Sequence, residues 1–81
     1  MTYLVLKAKD EVRELLPKFE QILTGYGIKI TDLWENEQDG TIDITTDATG
    51  YTDIRSVSAA AYDCFESNVL NFRFSGKWST Q

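Results

Sequence analysis

The sequence predicts an α+β fold in which two amphipathic helices cover one face of a four-stranded antiparallel sheet. Runs with an apolar period of two alternate with two segments of helical period, in the order β-α-β-β-α-β. The first run is apolar on both alternating faces, which is typical of a strand in the middle of a sheet. A short polar turn with a glycine separates the two middle runs, which indicates a hairpin.

The first predicted strand covers residues 2–8, and the first predicted helix begins near Asp10. Asp10 is expected to cap this helix, whose apolar positions recur at i, i+3, i+4 and i+7. The apolar stripe crosses Pro17, so we expect a kink there or a helix that restarts at the proline. Gly25 and Gly27 are expected to end the helix as a glycine C-cap.

The second and third strands are predicted over residues 28–36 and 41–46. Gly40 can take the left-handed conformation that a three-residue hairpin loop with a G1 bulge requires. Such a loop places Glu37 opposite Thr41, so that the numbers of paired residues sum to 78. This register decides which side chains of the hairpin face the helices.

In this register Trp34 points into the core. Leu33, Glu35 and Glu37 then lie on the open face of the sheet. Glu35 is expected opposite Asp43, a pair of like charges that lowers stability unless a cation lies near.

A second helix is predicted from a cap at Thr52 to about Glu66, and a fourth strand over residues 69–78. Strand 4 alternates between a core face and an open face. The core face is expected to hold Leu70, Phe72, Phe74 and Trp78, and the open face Asn71, Arg73, Ser75 and Lys77. The whole order fits a ferredoxin-like sandwich with strand order 4-1-3-2 and both helices on one face.

The composition predicts a single globular domain over residues 1–81, with 42% hydrophobic and 26% charged residues. The lone cysteine, Cys64, has no partner for an internal disulfide. No apolar leader or membrane-length apolar run is present, so we expect a cytoplasmic protein without a membrane anchor. The net charge of −5 argues against direct nucleic-acid binding, which depends on Lys and Arg.

The residue types argue against an enzyme, a metal site and a cofactor. The chain has no histidine, which is the commonest general base and transition-metal ligand. Cys64 lies on the apolar stripe of the second helix and is expected to be a buried thiol. Asp39, Asp43 and Asp47 are spaced by about 13 Å on an extended chain, too far apart to share one ion.

Between Lys29 and Arg55 the sequence has seven carboxylates and no positive side chain. Because the whole chain carries −5, the remaining residues sum to about +2, so the acidity is localised. A merely solvated surface usually mixes charges of both signs, although a solvated acidic face remains the alternative.

This acidic segment predicts docking on a basic protein surface, because complementary potentials speed encounter and a few aromatic side chains carry binding energy. If the partner handles nucleic acid, the chain would be a stoichiometric inhibitor that mimics phosphate. By analogy of size and charge, it would resemble the small acidic inhibitors of phages and mobile elements, or antitoxins. The predicted partner-binding residues are Leu33, Glu35, Glu37, Asp39, Asp43, Asp47 and Tyr51.

Two other functions remain open. The open sheet face divides into an acidic half and a basic half, which under a two-fold axis would allow a homodimer. Its predicted apolar and basic contacts are Tyr3, Val5, Lys7, Arg73 and Lys77. A small-ligand regulatory module of the same topology is the other alternative, although the loop after strand 1 lacks a glycine that would admit a ligand.

Overall fold

The computed structural model describes the backbone of residues 2–74 and the side chains of residues 2–72. Within this range the predicted α+β order of four strands and two helices is confirmed. In chain order the elements are β1 (Thr2–Leu6), α1 (Lys9–Gly25), β2 (Ile30–Asn36), β3 (Thr41–Thr46), α2 (Tyr51–Phe65), a 3₁₀ turn (Glu66–Asn68) and β4 (Val69–Phe74).

The four strands form one antiparallel sheet in the order β2-β3-β1-β4, which reads β4-β1-β3-β2 from the other edge. Alternate residues of the two central strands are fully buried on one face, where both helices pack. These core strand residues are Leu4, Leu6, Ile42 and Ile44. Across the helix layer, the rings of Phe19 and Phe65 lie 5.0 Å apart between centroids. The opposite sheet face carries no helix among the described residues.

The beginning of α1 differs from the prediction. The helix starts at Lys9, after Ala8 in the left-handed conformation with φ 57°, and no side chain caps it. Asp10 lies inside the first turn, so the prediction that it caps the helix is wrong. The helix continues through Pro17 to Gly25 and therefore does not restart at the proline.

The end of α1 is the glycine stop that the sequence predicts. Gly27 has φ +77°, and its N–H donates to the carbonyl of Thr24 at 3.0 Å. The N–H of Ile28 donates to the carbonyl of Leu23 at 2.9 Å. This pair of bonds is a Schellman motif, which needs a residue that tolerates positive φ. Ile28 and Leu23 are both buried, so the chain that leaves the helix enters the core directly after the motif.

The second helix begins two residues earlier than predicted, because its cap position is Gly50 and not Thr52. It starts at Tyr51 after Gly50, without a side-chain cap, so the predicted cap at Thr52 is wrong. Its small residues do pack against the sheet, and Ala61 and Cys64 are buried as predicted.

Strand β4 contains a bulge that changes the predicted pattern. Val5 pairs with Asn71 and Leu6 pairs with Val69, so Leu70 is the extra residue between them. Leu70 is 55% exposed, and the prediction that it shares the core face with Phe72 is wrong. The predicted continuation through Ser75, Lys77 and Trp78 lies outside the described residues.

The β2–β3 hairpin has a four-residue loop where the sequence predicts three residues. Asn36 and Thr41 are the last opposed pair. The side-chain oxygen of Asn36 accepts the N–H groups of Gln38 at 3.0 Å and Asp39 at 3.2 Å. The N–H of Gly40 donates to the Asn36 carbonyl at 2.9 Å, and Gly40 has φ +68°. The Asn36 side chain therefore folds the loop as an Asx turn that Gly40 closes.

The extra loop residue shifts the register by one, so that paired residue numbers sum to 77. Trp34 lies opposite Asp43, and Leu33 lies opposite Ile44. A shift of one residue exchanges the two faces of a strand. The predictions that Trp34 points into the core and that Glu35 faces Asp43 are therefore wrong.

A bulge near the beginning of β2 keeps the first residue of the strand, Ile30, on the core face. The register shifts between Ile30 and Asp32, so that Ile30 pairs with Thr46 and Thr31 is the extra residue. Ile30 packs against the core although it lies three positions before Leu33. The bulge thus allows Ile30 and Leu33 to lie on the same face of β2, although three positions separate them and simple alternation would place them on opposite faces.

Replacing Asn36 by Ala should destabilise the protein by about 1 kcal/mol, because two backbone N–H groups lose their side-chain acceptor. Chemical denaturation followed by far-ultraviolet circular dichroism measures this change. Replacement of the neighbouring exposed Gln38 by Ala is the matched control. Equal stability of the two variants would contradict the proposed role of the Asn36 side chain.

Candidate functional site

The predicted acidic surface is partly neutralised by the first turns of α1. The guanidinium of Arg13 forms a two-pronged ion pair with Glu35, in which Arg13 Nη2 pairs with Glu35 Oε1 and Arg13 Nε donates to Glu35 Oε2 at 3.2 Å. The hydrogen bond from Arg13 lowers the pKa of Glu35 below its ordinary value. Glu35 therefore lies on the helix side of the sheet, paired with a cation that also contacts Asp10, and its predicted place on the open face is wrong.

Glu37 also pairs with a cation of the same helix, Lys9, which it shares with Asp10. Its Oε2 atom lies 3.1 Å from the Nζ atom of Lys9, and this hydrogen bond raises the pKa of Lys9. The predicted place of Glu37 on the open face is also wrong, because Glu37 is the first residue of the loop. The sequence pattern missed both pairs because Lys9 and Arg13 lie on another element, far from the acidic segment along the chain.

Asp39 and Asp47 hold the ends of the hairpin. Asp39 Oδ2 accepts the side-chain N–H of Asn36 at 3.2 Å, within the turn. Asp47 Oδ1 accepts the backbone N–H of Lys29 at 2.9 Å, and its own N–H donates to the Lys29 carbonyl at 3.1 Å. Both carboxylates thus have local structural bonds, at opposite ends of the hairpin.

The two larger predicted contacts lie apart from each other. Leu33 is opposite Ile44 on the core side and is 39% exposed, so its predicted place on the open face is wrong. Tyr51 begins α2, where the guanidinium carbon of Arg55 lies 5.6 Å from its ring centroid in a cation–π contact. The seven predicted residues therefore do not form one surface, and their role in binding a partner stays a prediction.

The open face of the sheet presents two transverse rows of residues. Across the strands, the first row is Trp34, Asp43, Val5 and Asn71. The second row is Asp32, Thr45, Tyr3 and Arg73 by backbone register. A concavity of about 290 Å³ lies over these rows; we call it the open-face cleft, lined among others by Tyr3, Val5, Asp32, Trp34, Asp43 and Asn71.

Trp34 is the most prominent side chain of the open-face cleft. It is 60% exposed, although tryptophan is usually well covered in a small domain. Its neighbour across the hairpin is Asp43, which is in turn the neighbour of Val5. Aromatic side chains displayed in this way are common anchors of protein interfaces. The sequence pattern missed Trp34 because the predicted register buries it.

The carboxylates of the open-face cleft differ from Glu35 and Glu37. Among the side chains of residues 2–72, no ion pair engages Asp32 or Asp43. One oxygen of Asp32 accepts the backbone N–H of Leu33 at 2.9 Å, and Asp32 is exposed. Negative charge and an exposed aromatic ring therefore meet in the same cleft.

The residues of the predicted dimer face are only partly brought together. Tyr3 and Val5 both line the open-face cleft. Lys7 follows β1 with an exposed side chain, and Arg73 pairs with Tyr3 through the backbone. Lys77 lies outside the described residues, and dimerisation through this face stays a prediction.

Cys64 has the environment of a structural thiol. It belongs to α2 and is buried within the core, and desolvation raises its pKa above the ordinary value. A reactive cysteine needs the opposite setting, in which the thiolate is stabilised and accessible. The described residues also contain no group of three side chains suited to holding a metal ion.

Replacing Glu35 by Gln should lower stability at neutral pH, because the ion pair with Arg13 is lost. A carboxyl with a lowered folded-state pKa stabilises the fold above its unfolded-state pKa of about 4.3, and this stabilisation disappears as the pH falls through the folded-state pKa. The difference between the two proteins should therefore shrink on acidification below about pH 4. Denaturation midpoints across pH measure it, with Glu20→Gln as the control; a difference that is independent of pH would contradict the pair.

Replacing Trp34 by Ala should lower the free energy of unfolding by only about 1 kcal/mol, because most of the ring is already in water. Phe19→Ala, at a fully buried position, should cost about 3–5 kcal/mol. Denaturation followed by circular dichroism compares the two variants. A loss at Trp34 as large as that at Phe19 would contradict its exposed position.

Of the two helices within residues 2–74, neither has the length and apolarity to cross a membrane. Comparison of the chain with protein-family models, with curated proteins and with solved structures found no match.

Proposed function

We propose that this chain is a non-enzymatic protein-binding domain that recognises its partner through the open-face cleft. The observation that carries the proposal is the 60% exposure of Trp34 on a sheet face that no described helix covers. Val5 beside it adds apolar area. An exposed aromatic residue surrounded by polar groups is the usual composition of an interface centre with its rim.

We further propose that the scaffold is a ferredoxin-like sandwich. The element order β-α-β-β-α-β and the packing of both helices on one sheet face support this assignment. In such a scaffold the helices form the core with one face, and the other face is available for recognition. The scaffold itself does not specify the partner.

The charge of the chain favours a basic partner. The whole chain carries −5, and Asp32 and Asp43 place negative charge inside the open-face cleft. A cytoplasmic protein that handles nucleic acid presents a basic surface of this kind, and the chain would then act as its stoichiometric inhibitor. Because α1 neutralises Glu35 and Glu37, this proposal moves the contact from the hairpin tip to the open face.

A homodimer through the same face is the second candidate. The second row of the open face begins with Asp32 at one sheet edge and ends with Arg73 at the other. Under a two-fold axis, such a row can pair each acidic end with the basic end of its twin. Light scattering at high concentration and low salt distinguishes a dimer from a monomer, and salt should weaken the dimer.

The test of the proposed function compares capture by the wild-type chain, the Trp34→Ala variant and the Tyr62→Ala variant. Tyr62 is 53% exposed on α2 and is therefore a matched control for the loss of a surface aromatic ring. From extracts of cells that naturally produce the chain, quantitative mass spectrometry should find a partner that wild type and Tyr62→Ala retain and Trp34→Ala loses. The purified pair should repeat this pattern.

The same set of captured proteins with all three chains would contradict recognition through the open-face cleft. So would a partner that depends on Tyr62 and not on Trp34. Both outcomes are informative only with folded variants, which circular dichroism establishes beforehand.

A further inference from the structure

We propose that the open-face cleft binds an arginine side chain of a basic peptide segment, with the guanidinium over the Trp34 indole and between the carboxylates of Asp32 and Asp43. This inference rests on the proposed function and names the chemistry of the partner. It is carried by the register of the hairpin, by the charges around the cleft and by the apolar residues at its floor.

The hairpin register places the three groups within reach of one guanidinium. Trp34 and Asp43 are directly opposed on neighbouring strands, where Cβ atoms lie about 5 Å apart. Asp32 precedes Trp34 by two residues on β2, a distance of about 7 Å along the strand. A cation stacked on the indole therefore lies close to one carboxylate across the hairpin and to the other along the strand.

The electrostatic setting of these carboxylates favours a cation from outside the chain. Glu35 and Glu37 already have Arg13 and Lys9 as partners. Among residues 2–72, no Lys or Arg forms an ion pair with Asp32 or Asp43. In the row of Asp32, the backbone of Arg73 lies three strands away, about 14 Å at the usual strand spacing. A basic ligand supplies the charge that the described part of the chain does not place there.

The combination of ring and carboxylates favours arginine over lysine. A guanidinium is planar, stacks on aromatic faces and donates along two edges, so it can contact the indole and two carboxylates together. An ammonium is a point charge that is more strongly hydrated. Val5 and Tyr3 line the same cleft and can cover the aliphatic stem of the arginine side chain.

A blocked peptide of alternating glycine and arginine is the direct probe, and the same peptide with lysine is its comparison. Titration into the ¹⁵N-labelled chain, followed by NMR, should give saturable shifts at the Trp34 indole N–H and at the Asp43 amide. The lysine peptide should bind several-fold more weakly. Trp34→Ala and Asp43→Asn should each weaken the arginine peptide by about fivefold, the size expected for one exposed cation–π contact or ion pair.

Two matched variants separate this site from general attraction to an acidic protein. Asp63→Asn removes the same charge from the exposed face of α2, and Tyr62→Ala removes an exposed ring there. Both should bind the arginine peptide within about twofold of wild type. Equal weakening by Asp63→Asn and Asp43→Asn, or equal affinity for the two peptides, would overturn the proposal.

The partner captured through the open-face cleft distinguishes failure of this inference from failure of the proposed function. If Trp34→Ala loses that partner while Asp32→Asn and Asp43→Asn retain full affinity, protein binding stands and arginine recognition is wrong. If the two Asn variants also lose the partner, and added salt weakens its binding to wild type, the proposed function and arginine recognition are both supported.

Discussion

The side chain of Asn36 is the constraint on which the open-face cleft depends. By accepting the N–H groups of Gln38 and Asp39, it folds a four-residue loop, and Gly40 closes that loop in a left-handed conformation. The loop length sets the pairing of β2 with β3. Since a strand alternates its faces at every residue, this one local choice decides whether Trp34 is buried or displayed.

The same register also decides on which side of the sheet each carboxylate of the hairpin lies. Glu35 is turned to the helix side, where Arg13 meets it, and the nearby loop residue Glu37 meets Lys9. These pairs tie the beginning of α1 to the hairpin, although exposed ion pairs contribute little to stability. Asp43 is turned to the open face beside Trp34. The acidic segment thus divides into two carboxylates that pair with cations of α1 and a negative, aromatic cleft on the open face.

Much of the fold follows from periodicity and glycine placement, whereas the composition of the open-face cleft does not. The helical stripe of α1, its glycine stop at Gly27 and the two-sided apolarity of β1 all lead to the observed arrangement. The register of β2 against β3 is harder to predict from the sequence, because the residues around Gly40 suit a hairpin loop of three or of four residues. The apolar character of Trp34 also favours the register that buries it. The bulge at Thr31 also misleads a prediction of which β2 residues face the core. Without the bulge, simple alternation from Ile30, which packs against the core, would place Trp34 on the core face. Long-range ion pairs leave no local signature in the sequence.

The most direct test of this account is the pairing of β2 with β3, read from cross-strand nuclear Overhauser effects in solution. Directly opposed residues bring either their Hα atoms or their amide protons close together. The account predicts such contacts between Trp34 and Asp43 and between Asn36 and Thr41, as in the observed register. Contacts between Trp34 and Ile44, and between Asn36 and Ile42, would show the alternative register. They would bury Trp34 and contradict the surface on which the proposed function rests.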